Sequence, residues 1–88
     1  MEKRTHNPLT YFHLYLEVGS SRHYFGLINH VRILDNSESP TGYPHMVRFW
    51  DGDAYRFLEG TVNVAEDDRE FVLDMGGDKR YIFKVFHR

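Results

Sequence analysis

Between residues 10 and 18 apolar and polar positions alternate. Phe12, Leu14, Leu16 and Val18 fall on one side, and Tyr11, His13, Tyr15 and Glu17 on the other. A period of two over this length predicts a β-strand. A second strand is predicted over residues 22–34, with Phe25, Leu27, Val31 and Ile33 in phase. The link Val18-Gly19-Ser20-Ser21 fits a type II′ hairpin turn, with Gly19 where φ must be positive. That turn pairs Glu17 with Arg22, Tyr15 with Tyr24, Leu14 with Phe25 and Phe12 with Leu27, and it sets His13 opposite Gly26. A salt pair, an aromatic pair and two apolar pairs agree on this one register.

Four more strands are predicted, over residues 46–50, 54–65, 70–75 and 80–86, with a long loop at 35–45. Asp51-Gly52-Asp53, Glu66-Asp67-Asp68-Arg69 and Gly76-Gly77-Asp78 punctuate them, and Gly60 marks a bulge or bend. With Asp67-Asp68 as the loop, Val64 meets Phe71, Val62 meets Leu73 and Glu66 meets Arg69. No window repeats apolar residues at helical spacing. The expected fold is all-β: a six-stranded antiparallel meander forming a small barrel or a tightly coiled sheet. A flat sheet would leave one face wet and both edges open. Residues 1–8 read as a flexible tail and 9–88 as a single domain.

One face of this meander is its core: Phe12, Leu14, Leu16, Phe25, Leu27, Val31 and Ile33, then Leu58, Val62, Val64, Phe71, Leu73, Ile82 and Phe86. The alternate positions should then be polar, and in the second half they are not. Trp50, Tyr55, Phe57, Val72, Tyr81, Phe83 and Val85 share the opposite face, with Arg48 among them. Either the 35–45 loop or barrel closure buries them, or they form a contact surface, since aromatics and arginine dominate interface hot spots. The expected partner-binding residues are Arg48, Trp50, Tyr55, Phe57, Tyr81 and Phe83, flanked by Tyr43.

Composition narrows the function classes. Aromatics make up 16% of the 88 residues, which lets a small domain build a dense core. There is no cysteine, so disulfides, a thiolate zinc site and a cysteine nucleophile are excluded, and a reducing cytoplasm is the expected location. No run is long and apolar enough to span a membrane as a helix, and the apolar run near the N-terminus, broken by His13 and Glu17, does not read as a signal peptide. Charge is uneven: residues 51–78 hold nine acids against two bases, a net −7, within a chain of net −2. That acidity disfavours, without excluding, the alternative reading of a small barrel binding a nucleotide or single-stranded nucleic acid through Arg80, Lys84 and the aromatics.

Catalytic signatures are missing. No HxH, HExxH, GxSxG, P-loop or GxGxxG pattern occurs, and paired carboxylates sit only at hairpin tips. His45, beside Pro44 at a loop end, is the one histidine placed for chemistry or gating. The flat meander collects Asp35, Glu38, Glu66, Asp67 and Asp68 at one end, where acids keep turns soluble or steer a basic partner. No enzyme activity, cofactor or metal is expected. A short, cysteine-free, motif-free, aromatic-rich domain is similar in style to the small inhibitors that phages and mobile elements encode. The expectation is a protein-binding module, or a homodimer, that works by occluding a partner's surface.

Overall fold

Alternation becomes pairing in the computed structural model, which describes residues 2–5 in backbone course, and residues 9–65 and 69–86 in full. Seven strands form: β1 (Glu2–Thr5), β2 (Phe12–Val18), β3 (Ser21–Asp35), β4 (His45–Trp50), β5 (Tyr55–Val64), β6 (Glu70–Asp74) and β7 (Lys79–Val85). Strands β2 to β7 follow one another as antiparallel neighbours, and β7 pairs back onto β2, closing a six-stranded barrel. Glu2–Thr5 is not a tail: it runs as β1 antiparallel to the end of β3. The rest of the expected tail, residues 1 and 6–8, lies outside the described residues, as does the expected Glu66–Arg69 pairing. No helix among the described residues is long and apolar enough to cross a membrane.

The first hairpin keeps the expected register at its tip, with Glu17 opposite Arg22 and Tyr15 opposite Tyr24. Gly19 has φ 59. Further in, Leu14 faces Gly26, His13 faces Leu27 and Phe12 faces Ile28. Phe25 is an extra residue, a bulge made possible by Gly26 at φ 118, a conformation open to glycine. The bulge moves Leu27 out of the core and puts Ile28 in its place. A second bulge follows: three steps of β3 from Asn29 to Arg32 match two of β4 from Trp50 to Arg48, with His30 at φ 53. It restores the phase, so Val31 and Ile33 are buried as expected while Phe25 and Leu27 are not.

The core is aromatic. Phe83 stacks on Phe71 at 4.4 Å between ring centres and meets Phe49 edge-on at 5.9 Å, while Phe12 packs edge-on against Phe71. Val31, Ile33, Val47 and Leu73 fill the space around them. The register Val64–Phe71 and Val62–Leu73 forms as expected, although Val64 itself is exposed. On β7 the expected phase is inverted. Phe83 and Tyr81 oppose Phe71 and Leu73 and point inward, whereas Ile82 opposes Val72 and Tyr15 on the other side, where it is nonetheless buried, as expected. Both faces of residues 80–86 are apolar, so a period of two could not choose between them.

At Gly60 the long strand β5 changes partners, from β4 over Tyr55–Gly60 to β6 over Thr61–Val64. A Cβ on Gly60 would lie 2.4 Å from the backbone oxygen of Asp74. Glycine is needed here for close approach of two backbones rather than for an unusual φ.

Candidate partner-binding face

On β4 and β5 the inward positions are Val47, Phe49 and Leu58, and the outward ones are Met46, Arg48 and Trp50 facing Glu59, Phe57 and Tyr55. Arg48 sits directly across from Phe57 and Trp50 across from Tyr55. The Trp50 and Tyr55 rings meet edge-to-face at 5.1 Å, and the Arg48 guanidinium carbon lies 4.8 Å from the Tyr55 ring centre. Arginine over the ring face is held by the ring's quadrupole. The outcome is a continuous outer strip in which Phe57 is 58% and Tyr55 44% exposed, with Arg48 and Trp50 half-buried between them. Arg48 Nε is shut off from solvent with no hydrogen-bond partner among the described residues. His30 Nδ1, in the bulge beside this part of β4, is in the same state.

Two expected members of this face are elsewhere. Phe83 is fully buried in the barrel, and Tyr81 is half-buried, packed against the core from inside. Tyr43 is a tie rather than a free flank: its hydroxyl donates to the Met75 carbonyl at 3.0 Å. The stagger of the barrel brings the long loop to the turn after β6, so a flat drawing that sorts loops onto two ends does not hold. Glu66, Asp67 and Asp68, the heart of the expected acidic end, lie outside the described residues.

The loop between β3 and β4 stops short of the aromatic strip. Glu59 Oε2 accepts hydrogen bonds from Asn36 Nδ2 at 2.6 Å, Thr41 Oγ1 at 2.9 Å and Ser39 Oγ at 3.3 Å. Glu59 is two residues from Phe57 on the same face, so the loop ends there and leaves Phe57 and Tyr55 uncovered. His45, singled out for chemistry, has a backbone duty: its Nδ1 accepts the Val62 N–H at 3.1 Å.

The donors around Glu59, Asn36 first, hold its carboxyl below the usual value. Asp51 is lowered to about 2, first by the Ala54 N–H, then by Arg56 and the Asp53 N–H. Both carboxylates therefore favour folding above their unfolded pKa values, and this contribution is lost as pH falls through the lowered folded values. Acidification from about pH 5 to about pH 2 is expected to lower the melting temperature and to reduce the protection of the Ser39 and Gly42 amides relative to their intrinsic exchange at each pH, and Glu59→Gln should remove most of that pH response in the loop. Exchange rates independent of pH beyond the intrinsic effect would contradict this.

A second aromatic surface grows from the other side of the first hairpin, which supplies none of the expected site residues. Outside β2 and β3, His13, Tyr15 and Tyr24 cluster with ring centres 5.1–6.4 Å apart, and His13 Nδ1 lies 2.9 Å from the Tyr24 hydroxyl. Arg22 and Lys84 lie over the Tyr15 ring at 5.1 and 5.8 Å. Arg22 and Arg80 both bind Glu17, which keeps that carboxyl below its usual value. The pairing of Tyr15 with Tyr24 and the position of Lys84 on β7 are the sequence signals that point to it. Among the described residues, no three histidine, aspartate or glutamate side chains gather as metal ligands would.

The molecule is thus a closed meander barrel carrying an aromatic and arginine strip on its outer wall. Set against protein-family models, curated proteins and solved structures, the chain has no significant match in any of the three.

Proposed function

We infer that this chain is a small non-enzymatic binding module that docks on another protein through Arg48, Trp50, Tyr55 and Phe57. One observation carries the reading: the barrel completes its core without these side chains, and the nearest loop is tied to Glu59 instead of folding over them. A rigid strip of aromatic rings with an arginine loses little side-chain freedom on docking, which favours hot-spot behaviour. The mechanism is occlusion of the partner's surface, in the manner of a small inhibitor, and the acidic segment 51–78 steers the module towards basic surface. The lack of cysteine supports a reducing cytoplasm as its setting.

The second reading, single-stranded nucleic acid, draws support from the His13–Tyr15–Tyr24 cluster with Lys84 and Arg22 above it. Because Glu17 neutralises much of the local positive charge, it ranks below the first. One set of variants separates the two. Affinity capture with immobilised wild type is expected to retain a protein that Phe57→Ala binds ~30-fold more weakly, as for a hot-spot residue. Tyr24→Ala should capture it normally. Identical capture by wild type and Phe57→Ala would overturn the protein-binding reading. Salt-dependent binding of a labelled oligothymidylate that Lys84→Ala weakens would favour the second.

A further inference from the structure

Strand β3 is paired along both edges only over residues 32–34, by β1 and β4, and β4 reaches it no earlier than Asn29. Strand β4 ends at Trp50, opposite Asn29, so Ser21 to Ile28 pair with β2 alone among the described strands. A free strand edge offers N–H and C=O groups at a spacing that another extended backbone matches. Edges are commonly blunted by lysine, proline or an inward charge. Residues 21–27 contain neither lysine nor proline, and Arg22, their one arginine, is drawn across to Glu17 on β2 at 2.6 Å. Apolar side chains stand exposed instead, Phe25 at 59% and Leu27 at 42%. Both border the open mouth of the barrel, a cavity of about 380 Å³ whose walls include Leu14, Phe49, Leu58 and Tyr81.

We propose that this edge joins two copies of the chain, β3 of one protomer pairing antiparallel with β3 of the other, with Phe25 of each closing over the other's mouth. A contact about a two-fold axis requires a patch complementary to itself. An antiparallel strand edge meets that condition, because the axis sets N–H against C=O. Glu17, bound by both Arg22 and Arg80, offsets one of these two positive charges in each copy, and salt screens the one that remains. The Phe25–Gly26 bulge confines straight pairing to Ser21–Tyr24, and a two-fold contact uses the same edge on both sides, so assembly closes at two. Hydrogen bonds over so short a stretch give little affinity, and the mouth supplies the rest. At 59% exposure each Phe25 has roughly 90–150 Å² still to remove from water. Two of them, with two partly exposed Leu27 side chains, the paired backbone and the rims they cover, which include Asp51 and Arg56, give an interface below the ~1,200 Å² of standard size, so the pair forms as concentration rises.

Sedimentation velocity of the full chain over a dilution series tests this. Wild type is expected at twice the 10.5 kDa chain mass, and Phe25→Lys at the single mass with an unchanged far-UV spectrum, its dimer dissociation constant raised at least ~30-fold. Val64→Lys, a charge placed on an exposed apolar position of β5, is expected to stay dimeric. A dimer that Phe25→Lys leaves intact overturns the proposal. So does a wild type that is monomeric at every concentration, which would hand the edge to a strand of another protein. If Phe25→Lys fails to fold, amide exchange of wild type decides: slower exchange at residues 21–27 on concentration supports the dimer, and unchanged exchange overturns it.

Discussion

Phe83→Ala is expected to destabilise the barrel by about 4 kcal/mol, the usual loss when a buried phenylalanine becomes alanine. Phe83 is fully buried, stacked on Phe71 and edge-on to Phe49, so its removal empties the middle of an aromatic column. A domain of 88 residues has a total stability of roughly 4–13 kcal/mol, so the loss is a large share of the whole. The melting temperature should drop by roughly 16–32 °C. Phe57→Ala, at a side chain 58% exposed, should change stability by no more than about 0.5 kcal/mol. Thermal melts of the two variants beside wild type make the comparison. A Phe83→Ala barrel melting within a few degrees of wild type would mean that β7 presents its other face to the core.

Gly60→Ala is the second large effect, and its sign is informative. On backbone entropy alone, alanine in place of glycine should stabilise by about 0.4–1 kcal/mol where the conformation permits. Here the new Cβ would meet the Asp74 backbone oxygen at 2.4 Å and the Leu73 side chain at 3.0 Å. A backbone oxygen cannot turn aside, so β5 and β6 must separate at the point where β5 changes partners. Overpacking of this kind costs about 3 kcal/mol and outweighs the entropic gain. Urea titration is expected to show a lower midpoint with an unchanged slope. A variant as stable as wild type would mean that the two strands stand further apart at Gly60.

How much of the fold can be read from the chain depends on how decisive each pattern is. The β2–β3 turn was legible because Gly19, the Glu17–Arg22 pair and the Tyr15–Tyr24 pair all demand one register. The β5–β6 register was legible from Val62 and Val64 against Leu73 and Phe71. The bulges at Phe25 and His30 were not, because an added residue leaves composition unchanged while it reverses the face of every later residue in the strand. Strand β7 misled for a different reason: Tyr81, Ile82, Phe83, Val85 and Phe86 are apolar on both sides. The candidate face was accordingly half legible. Arg48, Trp50, Tyr55 and Phe57 alternate cleanly with Val47, Phe49 and Leu58, whereas Tyr81 and Phe83 were assigned to the wrong wall. Glu59 as the anchor of the long loop could not be foreseen, since its partners lie 18–23 residues away.

The closing seam between β2 and β7 has a kinetic consequence. Every other neighbouring pair in the barrel is a hairpin of consecutive strands, and hairpins zip in microseconds. The seam instead joins residues 61 to 73 positions apart along the chain, from Val18–Lys79 to Phe12–Val85. Its loop-closure entropy must be met before its contacts form, which makes the seam the natural slow step of folding. Until it shuts, β2 and β7 are two bare edges of matching register in the same molecule. Two chains caught at that stage can lend each other a terminal strand, so concentration during refolding decides between a closed barrel and an exchanged pair.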